Sequence, residues 1–235
     1  MTTPSVCARA AALAFALTAA GLPAQVGYPP AKSPYRDLVF HQELTAFTGY
    51  LSASKGRAGI APTGGPVAGV RYEIRIGGPA EFTVRLQRAW TERTVLDPDK
   101  PAATRNLGTR AWPIYQGDVG ITINLTGQKS WRRLVPVVHG GIGLASDANK
   151  GGDPAGFKIG TPFAFSFGGG VRWVPGGPFQ LRADVSNFLY HMDYPDVYFG
   201  TASTTETPIL PARSSQGEWV HNRVLSIGAS YLFFR

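Results

Sequence analysis

Apolar and polar residues take turns along most of this chain, with a period of two. From residue 42 onward eight runs alternate in this way, each bounded by Gly, Pro, Asn or Asp: 42–54, 66–76, 80–93, 115–126, 131–146, 159–174, 178–191 and 221–234. Successive side chains of a strand point to opposite faces, so this alternation predicts strands with one apolar and one polar face. In the second run Val70, Tyr72, Ile74 and Ile76 oppose Arg71, Glu73 and Arg75. In the third, Phe82, Val84 and Leu86 oppose Thr83, Arg85 and Gln87. In the fourth, Val119, Ile121, Ile123 and Leu125 oppose Asp118, Thr122 and Asn124. Phe163, Phe165, Phe167, Val171 and Trp173 oppose Ser166 and Arg172, and Phe179, Leu181, Ala183 and Val185 oppose Gln180, Arg182, Asp184 and Ser186.

The connections between runs decide what kind of β-protein this is. They alternate between long (55–65, 94–114, 147–158, 192–220) and short (77–79, 127–130, 175–177). Bacterial membrane barrels have an even number of antiparallel strands, short periplasmic turns and long outer loops. About ten residues tilted by about 45° cross the hydrocarbon layer. The expected fold class is therefore all-β: an eight-stranded antiparallel up-and-down transmembrane barrel over 42–235, both termini periplasmic. Aromatics near the run ends, Phe82 with Trp90, Phe163 with Trp173 and Phe179 with Tyr190, are expected to form interfacial girdles. Run 131–146 is expected to be irregular. Pro136 removes a ladder hydrogen bond and predicts a bulge, while Gly140, Gly141 and Gly143 predict crowding or a bend.

Residues 1–24, MTTPSVCARAAALAFALTAAGLPA, place one charge, Arg9, before an apolar run from Ala10 to Ala20. That run is too short to span a bilayer as a helix. It has the form of a secretory signal, cleaved after Ala24 or after Ala20. Residues 25–41 carry three prolines and read as an extended periplasmic lead-in. Cys7 is the single cysteine, so the exported chain is expected to lack thiols and disulfides. Charged residues make up only 16% of the chain, with a net charge of +8. Soluble domains carry roughly a quarter. The basic excess suits anionic lipid headgroups or simple solubility.

The signal segment, the eight runs and the terminal run VLSIGASYLFFR resemble the small outer-membrane β-barrel family of the OmpA and OmpX type. The resemblance covers 42–235 and implies a barrel in the outer membrane. Its implied surroundings are outer-membrane lipids and lipopolysaccharide, and its implied helper is the assembly machinery. Members commonly end on an aromatic residue, whereas here Phe234 is followed by Arg235.

An eight-stranded barrel is filled by its own side chains. The inward polar residues are expected to be Arg71, Glu73, Arg75, Arg85, Asp118, Arg172, Arg182 and Asp184. Buried charges must be paired, so they form either a salt-bridged plug or, through excess arginine, an ion path or small-ligand site. Catalysis in such a barrel needs a histidine beside a serine, oriented by a carboxylate or amide. Among His41, His139, His191 and His221, the best pairing is His191 or His221 with Ser186, Ser214 or Ser215 and Asp193, though nothing in the spacing forces them together. Asp147, Asn149 and Asp153 resemble a calcium loop without its closing glutamate, and are expected to be ordinary turn formers. No metal or cofactor is expected, and no nucleic acid, the last because the arginines are spread among strands. The long loops, with Tyr194, Tyr198 and Phe199 in the fourth, either meet an extracellular partner or are tolerated excursions. The expected function is a structural or surface-interaction protein, with no open pore and no catalysis. The alternatives are a lipid A-modifying barrel enzyme and a soluble exported barrel that binds a small hydrophobic ligand.

Overall fold

The structure is a computed structural model that describes residues 33–147, 153–200, 207–212 and 215–233. The expected signal segment, the lead-in as far as residue 32, Asn149, Ser214, Phe234 and Arg235 lie outside the described residues. Twelve strands follow one another in chain order: β1 (Tyr35–Asp37), β2 (Gln42–Ala53), β3 (Gly65–Gly77), β4 (Ala80–Ala89), β5 (Glu92–Leu96), β6 (Asn106–Ala111), β7 (Ile114–Asn124), β8 (Lys129–Trp131), β9 (Leu134–Asp147), β10 (Phe163–Trp173), β11 (Phe179–Asp193) and β12 (Gly217–Phe233).

Eight of them close into a barrel. The order is β2-β3-β4-β7-β9-β10-β11-β12, every neighbour is antiparallel, and β12 pairs back onto β2. Closure leaves no sheet edge, so each backbone N–H and C=O finds a partner without water. The cross-strand ladder that starts at Gln42 passes through Ile74, Phe82, Ile121, Gly140, Phe167, Asn187 and Arg223. It returns to β2 at Ser52, ten residues beyond its start. With strands about 4.8 Å apart and a rise of about 3.3 Å per residue, this stagger tilts the strands by about 40° and sets a backbone radius of about 8 Å.

The two faces are inverted relative to a water-soluble barrel. Outward residues are apolar and exposed, as with Leu86 at 58% and Ile227 at 64%, while Arg172 and Arg85 inside are 0% and 2% exposed. A continuous apolar surface around a polar interior is stable in lipid and costly in water.

Several elements differ from the sequence expectation. The second long connection is not a plain loop: β5 and β6 pair as a hairpin beyond the barrel rim. Pro136 makes no bulge. Its pairing opposite Val171 continues without a register shift, and its carbonyl accepts from Leu125 N at 2.9 Å where the β7 ladder ends. The missing N–H therefore falls at a ladder terminus. The crowding expected at the glycines does occur. A Cβ on Gly143 would lie 2.0 Å from the Gly117 carbonyl oxygen, and one on Gly141 2.5 Å from that of Val119. Tyr190 is no girdle residue. It is buried and in phase with the inward residues of β11, and Trp219 stands outward at that height, against His191. The lead-in also does more than lead in. β1 pairs with β8, and Leu38 and Phe40 pack on Val135, Val137 and Leu232 at the end of the barrel opposite the long connections.

The β8–β9 hairpin turns through Arg132 and Arg133, both with positive φ, at 49° and 68°. Such a two-residue turn favours Asn-Gly, and each left-handed non-glycine residue costs roughly 1–2 kcal/mol. Replacing the pair with Asn-Gly is expected to stabilise the folded barrel by about 1–2 kcal/mol, read as a higher urea midpoint in detergent. An unchanged or lower midpoint would show that the arginines contribute more than they strain.

Candidate functional site: the lumen charge network and its outer cap

Alternation turns every second residue of each barrel strand inward, and the tilt brings charges from different strands to common heights. Arg172 on β10 lies across the lumen from β3, four places away in the ring of eight. Its guanidinium meets Glu81 at 2.6 and 3.1 Å, Glu73 at 3.0 Å and Glu43 at 3.5 Å. Arg182 joins the same group. It donates to Asp184 at 2.7 and 3.1 Å, to Glu43 at 3.4 Å and to Glu73. Arg71 pairs with Asp184 at 3.3 Å. Thr122 and Thr83 donate to Glu73 at 2.7 and 3.1 Å, and Asn124 donates to Glu81 at 2.9 Å. Higher in the lumen Arg85 grips Asp118 with two bonds, 2.8 and 3.1 Å, and Ser166 donates to the same carboxylate at 2.7 Å. The Phe188 ring lies 4.6 Å from the Arg85 guanidinium.

Two lumen groups, one around Arg172 and one around Arg85, hold seven of the eight residues expected from the sequence. Arg75 stands apart: half-buried at the short-turn end, it donates to the Leu38 carbonyl at 3.1 Å and stacks on Phe40. Glu43 and Glu81 were missed, although each is in inward phase, with Thr45 and Phe47 on β2 and with Thr83 and Arg85 on β4. They remove the expected arginine excess. In the lumen, buried Arg71, Arg85, Arg172 and Arg182 face buried Glu43, Glu73, Glu81, Asp118 and Asp184. Glu43, Glu73 and Glu81 bring oxygens within 4.8 Å of one another, but the Arg172 guanidinium pairs with all three.

Above the lumen the long connections fold over the mouth. Ile60 and Ala61 from the first, Trp112 from the second, Phe157 and Ile159 from the third, and Tyr194, Tyr198 and Leu210 from the fourth form one buried cluster. Arg93 of β5 sits inside it, 0% exposed. Its guanidinium lies 4.6 Å from the Trp112 ring centre and 4.3 Å from that of Phe157, and it pairs with Asp153. Burial lowers the Arg93 pKa, opposed by Asp153. Burial, reinforced by Asp153, pushes the Tyr198 phenol up to about 12 and keeps it neutral. Asp147 ties the third loop down, accepting from Ile159 N at 2.7 Å, Gly160 N at 3.0 Å and Trp112 Nε1 at 3.0 Å. Asp147 and Asp153 thus serve as loop anchors.

Among the described residues, the candidate catalytic pairings do not assemble. His191 meets Asp193 at 3.2 Å but faces outward against Trp219, whereas Ser186 is buried in the lumen. His221 Nδ1 lies 3.0 Å from Asn187 Nδ2. Ser215 donates to the Gly217 carbonyl and receives Arg57. His139 is inward, and His41 is exposed just before β2.

No family model and no curated protein matches the chain. Among solved structures it is similar to Neisserial surface protein A, at 16% identity and a TM-score of 0.49, over 82% of this chain and 97% of that one. It is also similar to the outer membrane protein OprG from Pseudomonas aeruginosa, at 12% identity and a TM-score of 0.48, over 83% and 98%. A third is the N-terminal β-barrel domain of OprF from Pseudomonas aeruginosa, at 11% identity and a TM-score of 0.42, over 82% and 98%. By its own topology, register and inverted faces, the chain has the fold of the small outer-membrane β-barrels that its sequence led us to expect.

Proposed function

We propose that this chain is an outer-membrane protein with its long loops outside, closed to solute flow, and that it acts through its outer surface as a structural or interaction protein without catalysis. The observation that carries the proposal is the lumen. A tube of about 8 Å radius is crossed from β10 to β3 by Arg172 and Glu73, and is covered at one end by Leu38 and Phe40 and at the other by the Arg93 cluster. Charges so paired hold the strands together and leave no continuous water path. The outer surface offers the β5–β6 hairpin, whose β6 residues Asn106 to Ala111 are all exposed. An exposed hairpin beyond the membrane is a suitable element for a partner to read.

The test joins two measurements on the full chain. A heat-modifiable gel shift that requires detergent is the expected sign of a membrane barrel. A silent trace in planar bilayers is the expected sign of a closed lumen. A monodisperse detergent-free protein would overturn the membrane reading, and stepwise conductance would overturn the closed one.

A further inference from the structure

At the end of the barrel opposite the long connections, a pocket of about 340 Å³ opens between the β1–β8 pair and the β10–β11 turn. Its floor is apolar: Leu38, Val174 and Leu232 belong to the layer packed at this end. Its walls are basic. Arg36 and Ser130 are register partners, and directly opposed residues share one face of a strand pair. Arg36 is in phase with buried Leu38 and Phe40, which turns that face toward the pocket. Arg133 lines the pocket beside Val174, whose N–H donates to the Arg133 carbonyl at 2.7 Å. Gly176 and Gly177 complete the lining with φ of 115° and 80°, and a Cβ on either would meet open space.

Four cations, Arg36, Lys129, Arg132 and Arg133, gather on β1 and the β8–β9 hairpin, against the one carboxylate of Asp37. Asp37 stands on the other face of the strand pair, opposite Lys129, whose ammonium it meets at 4.0 Å. Arg132 stacks on Trp131, 5.3 Å from its ring centre. Among the described residues no carboxylate pairs with Arg36 or Arg133. Both are exposed, so a ligand can reach them. The turn that presents Arg133 is strained at two successive residues, and backbone strain of this kind clusters at ligand sites.

We infer that this pocket binds a phosphate ester with a short apolar portion. Arg36 and Arg133 take the phosphate, which guanidinium matches in charge and in bidentate geometry. The carbons lie on Leu38, Val174 and Leu232. Two sources carry this chemistry: a soluble phosphate ester, and the headgroup of a phospholipid in the nearer leaflet. The exposed outward aromatics Trp173, Phe179 and Tyr231 mark that leaflet's interface at the same end of the wall. The pocket does not depend on which way the barrel faces, so the inference stands apart from the role proposed for the long loops.

Backbone NMR of the full chain in maltoside micelles, which carry no phosphate, tests it at fixed ionic strength with glycerol phosphate as the soluble probe. Saturable shifts are expected at the Leu38, Gly176 and Gly177 amides. Affinity is expected to fall about tenfold in R36Q and in R133Q, the scale of one lost charge-assisted hydrogen bond. It is expected to hold in R132Q, whose guanidinium lies on Trp131 and lines no part of the pocket. The Asn-Gly replacement of Arg132 and Arg133 relaxes the turn and is expected to weaken binding as R133Q does. Phosphatidylglycerol added to the micelles reads the second source. The same shifts without added ester assign the site to a headgroup, and shifts with the ester alone assign it to a soluble ligand. No saturable shift from either probe, an equal response to glycerate, or an equal loss in R132Q and R133Q would overturn the inference, the last by showing general attraction to a basic surface. The heat-modifiable shift reads the folding of each variant, so these outcomes leave the membrane barrel and its proposed role standing.

Discussion

Arg172→Met is expected to lower the unfolding free energy by about 3–5 kcal/mol, the cost of removing one partner from a buried ionic cluster. Arg172 is fully buried and serves Glu43, Glu73 and Glu81 at once. Methionine matches much of its volume, so packing changes little and the loss is electrostatic. Glu43 and Glu73 would then keep Arg182, which is already committed to Asp184, and Glu81 would lose the cation it pairs with. The cluster as a whole is a different matter. Replacing all members of a buried ionic group by apolar residues of similar shape is often neutral. R172M combined with E73Q and E81Q is therefore expected to recover part of the loss, although it carries more substitutions. Urea titration of the folded barrel in detergent, read by gel mobility, measures both. A loss below about 1 kcal/mol for R172M would show that water or another cation already serves these carboxylates.

The sequence made the wall legible and left the ends obscure, for a physical reason. Alternation is a local signal: Val70 against Arg71, or Leu181 against Arg182, records which face meets lipid without reference to any other strand. Phase alone also places Glu43 and Glu81 inside. Tyr190 is an aromatic near a run end, but its phase is inward. The cap is another kind of feature. Ile60, Trp112, Phe157 and Tyr198 come from four connections far apart in the chain, and no periodicity within one loop reports contact with another. The Arg132–Arg133 turn is hidden for a related reason: it lacks the glycine or asparagine by which such turns are recognised. Residue type and phase point to a lumen network, whereas the partners within it follow only from the stagger of the barrel.

Arg93→Ala is expected to open the outer cap while leaving the barrel folded. The side chain fills the space between Trp112 and Phe157 and neutralises Asp153. Its removal leaves a cavity, a buried carboxylate without its cation and two rings without their cation–π partner, together about 3 kcal/mol. The barrel ladders lie below this level and keep their hydrogen bonds, so the loss is local. Amide exchange at Ile159 and Gly160, whose N–H groups donate to Asp147, is expected to accelerate about a hundredfold, with the heat-modifiable shift unchanged. Lysine keeps the charge but not the plane that stacks between two rings, so R93K is expected to fall between the two. Unchanged exchange in R93A would mean that the apolar residues hold the cap unaided. Conductance separates the two seals. If Arg172 and its carboxylates close the lumen, R93A remains silent in planar bilayers, because the cross-lumen cluster lies below the opened cap. Current through R93A alone would make the cap the true seal and reduce the Arg172 cluster to a brace between strands.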